Sequence, residues 1–195
     1  MPIKGRIAIT GRPGVGKTTL IKRVLSLLPI SAGGMLTEEI RVCGHRVGFS
    51  LIDVSTGEEG VLAHLHKSGG PKVGRYTVDL RSLERIGIAA IYRAIEEDDL
   101  VVIDEIAPME LSSPAFVPAV EAALASDKSL IISTHAHADI EIAHRIRREL
   151  TLFRVKLGNR ERLVGEILAT FGIVETEPPP VTDAGISPAS RGDAA

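Results

Sequence analysis

The sequence predicts an α/β fold: a mostly parallel sheet with helices on both faces and an antiparallel β insertion. Three observations point there. Short apolar runs, RIAIT at 6–10, LVVID at 100–104 and SLIIS at 129–133, alternate with longer stretches at helical spacing. Strands of a parallel sheet covered on both faces have this continuous apolar character. The polar stretches Gly11–Thr18, Asp104–Glu110 and Thr134–His137 follow those runs, where open α/β sheets bind their ligands. Finally, 195 residues, 44% hydrophobic and 25% charged, suffice for one domain around a substantial core.

The elements run in order along the chain. Arg6–Thr10 reads as a short buried strand. Over Lys17–Leu28, Leu20, Ile21, Val24, Leu25, Leu27 and Leu28 repeat at helical spacing, and Pro29 ends the helix. Gly33-Gly34 reads as a break. Met35–Val42 and Arg46–Val54 are β-like runs joined by Cys43-Gly44-His45, a hairpin turn. Polar and glycine-rich residues come next, and Gly74–Leu80 is a further strand. Met35–Leu80 is therefore read as the antiparallel insertion. Alternation then resumes: a helix over Leu83–Glu97, a strand at Leu100–Asp104, a helix at Pro114–Ala125 and a strand at Ser129–Ser133. A helix at Asp139–Glu149, a strand at Leu152–Val155 and a last helix at Asn159–Phe171, closed by Gly172, complete the fold. The domain is placed at residues 1–172. Residues 173–195, with Pro178-Pro179-Pro180 and many Ala, Ser and Gly, lack periodicity and are expected to be a disordered tail.

Totals exclude several classes of function. The net charge of −2 gives no general reason to expect nucleic acid or an anionic membrane as partner. The one dense basic cluster, His144–Arg148, is flanked by Glu141 and Glu149 and reads as a solvated helix face. The single cysteine, Cys43, rules out an internal disulfide framework and suits a reducing compartment. No run reaches the ~18 apolar residues of a membrane span. No signal-peptide pattern precedes the first strand, so a cytoplasmic protein is expected, acting as a monomer. The pairs His64/His66 and His135/His137 have strand spacing, but no third ligand is evident for a metal such as zinc.

GRPGVGKTT at 11–19 carries the chemistry. Gly11, Gly16, Lys17 and Thr18 meet the pattern G-x-x-x-x-G-K-[ST], between an apolar strand and a helix as the motif requires. The glycines, with Gly14, let the backbone N–H groups along Gly11, Arg12, Pro13, Gly14, Val15 and Gly16 (all but the proline's) converge on phosphate oxygens. The helix starting at Lys17 aims its positive end at the same anion. Lys17 is expected on the β- and γ-phosphates, Thr18 on Mg²⁺ and Thr19 near the α-phosphate. Asp104, at the end of an apolar strand, is the candidate second Mg²⁺ holder. Glu105 is placed to activate a water against the γ-phosphate. Glu110 is a candidate for the same pocket, and His135 for sensing the γ-phosphate or positioning water. Arg41, Arg46, Lys72 and Arg75, in the insertion, are candidates to neutralise developing charge. The Asp104-Glu105 pair favours hydrolysis. A nucleotide or small-molecule kinase that uses the insertion as an acceptor lid is the alternative, and a nucleotide-gated binding module a third reading.

The combination of GRPGVGKTT, GGMLTEEIRVCGHRVGFSLIDVSTG, GPKVGRYTVDL and DEIAPMEL resembles the small P-loop nucleoside triphosphatases that include the human cancer-related nucleoside triphosphatase and its bacterial and archaeal relatives. The likeness covers roughly Lys4–Phe171. It implies a RecA-like domain with a β insertion. It also implies Mg²⁺-dependent hydrolysis of several nucleoside triphosphates to diphosphates, with little base preference. Carried over residue by residue, Gly11–Thr18 is the first nucleotide-binding segment. Leu100, Val101, Val102, Ile103, Asp104, Glu105, Ile106 and Ala107 form the second. Ala107 stands where the family has Gly, and Thr134-His135-Ala136-His137 matches the family's strand-end region in part.

Overall fold

The computed structural model describes residues 4–135 and 139–173. His137, paired with His135 by spacing, and the tail from residue 174, expected to be disordered, lie outside the described residues. Among the described residues, nine strands form one sheet in the order β5-β6-β4-β3-β2-β7-β8-β1-β9. They are β1 (Arg6–Gly11), β2 (Ala32–Val42), β3 (His45–Asp53), β4 (Glu59–His64), β5 (Lys72–Val73), β6 (Tyr76–Val78), β7 (Leu100–Ile106), β8 (Ser129–His135) and β9 (Thr151–Arg154). The strands β2, β7, β8, β1 and β9 pair in parallel, while β3, β4, β6 and β5 extend β2 as an antiparallel wing.

The helices are α1 (Lys17–Leu25), α2 (Leu80–Ser82), α3 (Ala89–Glu97), α4 (Phe116–Ala125), α5 (Glu141–Glu149) and α6 (Arg160–Thr170). A π-helical segment, Leu83–Ile88, joins α2 to α3, and a short 3₁₀ turn, Glu110–Ser112, comes after β7. Two cores lie on opposite faces of the sheet. Side chains alternate between them with strand period two. Ile7, Ile9, Leu100, Val102 and Ile131 pack on one face with Leu20, Ile21 and Val24 of α1 and Leu163, Val164 and Ile167 of α6. Ala8, Val101, Ile103, Leu130 and Ile132 pack on the other with Ile91 of α3, Phe116 and Val120 of α4 and Ile146 of α5.

The α/β expectation holds, with local corrections. Gly33 and Gly34 are not a break but lie inside β2, paired with Val101 and Val102 of β7. A Cβ on Gly34 would stand 2.1 Å from the Val102 carbonyl oxygen, and its φ of 105° suits glycine alone. Gly34 is thus required by its backbone conformation beside β7, whereas a Cβ on Gly33 would stand 2.8 Å from the Ala94 Cβ of α3 and run into Asp98. The insertion is thus no separate sheet: β2 belongs to the parallel core at its start and to the wing at its end. Two strands lie where the sequence pattern predicts none. β4 begins with Glu59-Gly60 and lacks clean alternation, and its register with β3 shifts between Phe49 and Ser50. β5 is two residues long. The strand expected over Gly74–Leu80 is confined to Tyr76–Val78, because Gly74 has φ 59° and the Asp79 carboxylate accepts a hydrogen bond from the Ser82 N–H, starting α2. The helix expected over Lys17–Leu28 ends at Leu25, before Pro29.

Candidate active site

The site grows from the end of β1. Gly11 closes the strand, and the chain turns with the Val15 N–H on the Arg12 carbonyl at 3.3 Å. Gly14 and Gly16 take φ of 72° and 97°, which lets the loop curl back on itself. Gly16 caps α1 in a left-handed conformation, with no side-chain cap and no acid in the first turn. The orphan N–H groups and positive dipole end of α1 therefore face the loop's interior uncompensated, as an anion site requires.

β7 brings the carboxylates. Its ladder with β8 loses register between Ile103 and Ile106, so Asp104 and Glu105 leave the regular alternation where the strand reaches the loop. Thr18 donates its hydroxyl to Asp104 Oδ2 at 2.6 Å, and the Ser133 hydroxyl donates to Asp104 Oδ1. Asp104 has no solvent exposure. Burial raises its pKa, the Ser133 and Thr18 hydrogen bonds oppose the rise, Glu105 adds to it and Lys17 opposes it. Lys17 is 5% exposed, and its ammonium stands 3.1 Å from Glu105 Oε1. Glu105 keeps 23% side-chain exposure, open enough to meet a water.

A third carboxyl group lies near Asp104 and Glu105. Glu110, on the 3₁₀ turn, is 3% exposed, and its Oε2 is a buried oxygen without a hydrogen-bond partner. Burial pushes its pKa well up, and the negative charges of Glu105 and Asp104 push the same way. Thr10 Oγ1 and Thr134 Oγ1 are likewise buried without partners, at paired positions on the carboxyl ends of β1 and β8. Buried polar atoms in native proteins are normally satisfied. Glu105 Oε1, which faces the Lys17 ammonium, also lacks a hydrogen-bond partner, so unpartnered buried oxygens recur at the carboxyl ends of β1, β7 and β8.

The donor set fits a hard divalent cation. Asp104 and Thr18 are already in contact and offer a carboxylate and a hydroxyl, the oxygen ligands such ions take alongside waters and phosphate oxygens. Among the described residues no group of three or more His, Cys, Asp or Glu side chains could hold a metal alone. An ion shared with a triphosphate needs no such cage.

The structure thus brings Gly11–Thr18, Asp104, Glu105 and Glu110 together. Thr19 comes next on α1. Leu100, Val101, Val102 and Ile103 are fully buried in the two cores, and their part is to carry Asp104 rather than to touch a ligand. Ile106 is also fully buried, and Ala107 opens the turn toward Glu110. His135 ends β8 level with Gly11, and its carbonyl accepts a hydrogen bond from Arg147. Arg41 and Arg75 are engaged inside the wing. Arg41 binds Glu39 and the Gly44 carbonyl, and Arg75 binds the Tyr76 hydroxyl and the Arg46 carbonyl. Arg46 pairs with Glu39. Sequence reasoning gave no role to Ser133 or Thr10, and placed Thr134 only within a stretch on the ligand side of the sheet. The signal was there: each is a hydroxyl at the end of an apolar strand that the topology sets beside the phosphate loop.

Comparison with known proteins gives the family and the fold. A family model described as NTPase matches residues 6–168. The chain is 45% identical over 170 residues to the nucleoside-triphosphatase THEP1 of Methanosarcina acetivorans, covering 85% of this chain and 96% of that one. It is 45% identical over 161 residues to the protein of the same name from Thermofilum pendens, covering 80% and 88%. Among solved structures, THEP1 from Aquifex aeolicus superposes with a TM-score of 0.77 at 30% identity, over 85% of this chain and 98% of that one. A human cancer-related nucleoside triphosphatase superposes with 0.68 at 32% identity, over 85% and 96%.

Proposed function

The chain belongs to the NTPase family, and from that membership we propose a specific reaction: magnesium-dependent hydrolysis of ATP, GTP, CTP and UTP to the diphosphate and phosphate, with little base preference. The observation that carries the reading is the pair of contacts linking the phosphate loop to β7, Lys17 with Glu105 and Thr18 with Asp104. They set a phosphate-binding lysine, a metal-binding pair and a partly exposed carboxylate within one small volume.

Each residue has a role that its place supports. The backbone N–H groups of Gly14–Thr18 and the positive end of α1 bind the β-phosphate region. Lys17, held in a nearly closed environment, draws charge from the γ-phosphate as the bond to the bridging oxygen breaks. Thr18 and Asp104 would hold the magnesium ion, which would neutralise phosphate charge. Ser133 binds Oδ1 and so fixes the orientation of the Asp104 carboxylate, whose Oδ2 meets the Thr18 hydroxyl. Glu105 accepts the hydrogen bond of the attacking water and takes its proton as the oxygen joins phosphorus. The bridging oxygen leaves with the diphosphate, and the proton passes on to the released phosphate.

We place this activity in residues 1–172 of a cytoplasmic monomer. Among the described residues no helix is long and apolar enough to cross a membrane. The test is phosphate release from each of the four nucleotides, with and without magnesium and with no acceptor present. Release from all four that needs magnesium supports the reading. Consumption that appears only with an added acceptor would turn the assignment to a kinase.

A further inference from the structure

Two contacts give the phosphate loop a direction. Lys17 meets Glu105 and Thr18 meets Asp104, so the flank where the terminal phosphate reacts faces β7. In the sheet β8 and β1 come next, and β9 lies on the far side of β1. A triphosphate lying in the loop with its reactive end toward β7 sends its nucleoside toward β9 and the start of α6.

The chain is shaped for contact there. A Cβ on Gly11 would stand 3.1 Å from the Val155 carbonyl oxygen, so the segment after β9 abuts the loop. A Cβ on Gly16 would stand 2.7 Å from Nη1 of Arg160 and 3.1 Å from its Cδ, so the Arg160 side chain lies along the last glycine of the loop. Glycine at 16 keeps room for it. No carboxylate among the described residues forms an ion pair with this guanidinium. Leu157, in the turn between β9 and α6, is 93% exposed, the most exposed large apolar side chain among the described residues.

That turn is held in shape without spending Leu157. Asn159 Oδ1 accepts from the Lys156 N–H at 2.9 Å, and its amide donates to the Arg154 carbonyl at 3.0 Å. Asn159 is the chain's single amide side chain, the residue type suited to read the edge of a base. Both of its ends are committed to the turn. What the turn offers outward is an apolar surface and a cation.

We infer that the Lys156–Arg160 turn is the nucleoside subsite: Arg160 binds the α-phosphate beside Gly16, and Leu157 packs on the face of the base without reading its edge. The inference rests on the nucleotide-binding reading of the loop, and it supplies a physical reason for indifference to the base. An apolar contact with a ring face is open to purines and pyrimidines alike.

Calorimetric titration with ADP, GDP, CDP and UDP, and with inorganic pyrophosphate as the nucleoside-free probe, each with magnesium, tests it apart from turnover. Leu157→Ser should raise Kd about fivefold to tenfold for all four diphosphates, as loss of one buried apolar side chain does. Pyrophosphate should stay within about twofold. Arg160→Ala should weaken the diphosphates and pyrophosphate together by about tenfold. A Leu157→Ser protein that binds all four diphosphates as before, or loses pyrophosphate equally, overturns the subsite. So does an Arg160→Ala protein with unchanged pyrophosphate affinity. If Leu157→Ser shows the expected losses but the wild-type protein releases no phosphate from triphosphates, the hydrolytic reading is refuted and the subsite stands.

Discussion

Glu105 and Glu110 come after the same apolar run and meet different surroundings. Glu105 keeps partial exposure and faces the Lys17 ammonium, while Glu110 is buried with no ion pair among the described residues. The difference separates a carboxylate available for proton transfer from one that burial holds toward its neutral form. Replacing Glu105 with Gln keeps size and removes the carboxylate proposed as the base. Diphosphate affinity should stay within about threefold, while phosphate release falls by about 10²–10⁴. Turnover equal to wild type would take the water-activating role from Glu105. Glu110 has a consequence for stability. Its native pKa lies above the ordinary glutamate range, so the folded state binds more protons than the unfolded one between the two values. Stability then falls as pH rises from that ordinary range through the raised native value. Gln at 110 has no charge to bury. The melting temperature of Glu110→Gln relative to wild type should therefore climb, by a few degrees, as pH rises above the ordinary glutamate range. Parallel curves for the two proteins would show that Glu110 is not buried as described.

At the scale of elements, β2 links the catalytic core to the wing. Its first residues pair with β7, and its remainder runs past the last paired position, Met35–Ile103, on the side where the site lies. Glu38, on that overhang, pairs with Lys22 of α1, so the wing is tied to the helix that presents the phosphate loop. Asp53, at the end of β3, is buried and joined to Arg93 of α3. The close approach of β2 to β7 depends on Gly34. Gly34→Ala would set a methyl group against the Val102 carbonyl at a backbone conformation disfavoured for alanine, with an expected loss of about 3 kcal/mol in stability. Thermal or urea unfolding measures it, and a loss below about 1 kcal/mol would mean that the junction is more yielding than the geometry implies.

At the scale of the whole molecule, the ends of β1, β7 and β8 create the site by converging. Ligand binding should report on that assembly. Mg²⁺ with ADP at about a hundred times Kd should stabilise the protein by ~2.7 kcal/mol. Lys17→Ala should lose most of the shift, measured by thermal unfolding with and without nucleotide. A full shift in Lys17→Ala would count against the loop as the phosphate cradle. The phosphate loop and the apolar strands were legible in the sequence because both are local: spacing of glycines, a lysine and a hydroxyl, and runs of apolar residues bounded by turns. The Asp104-Glu105 pair was legible because it ends such a run. β4 and β5 were not, since their residues become strand only by pairing with β3 and β6. Gly33-Gly34 misled for a related reason: glycine marks a turn in isolation and a close approach in a packed sheet. The fold class and the places of the glycine–lysine loop and the acidic strand end could be read from the chain alone, because periodicity and turn chemistry act over a few residues. Only the tertiary structure decided that Ser133 orients Asp104, that Arg41 and Arg75 are spent within the wing, and that Arg160 lies along Gly16. Those contacts join residues that the packed sheet and its loops bring within reach, and no local pattern encodes them.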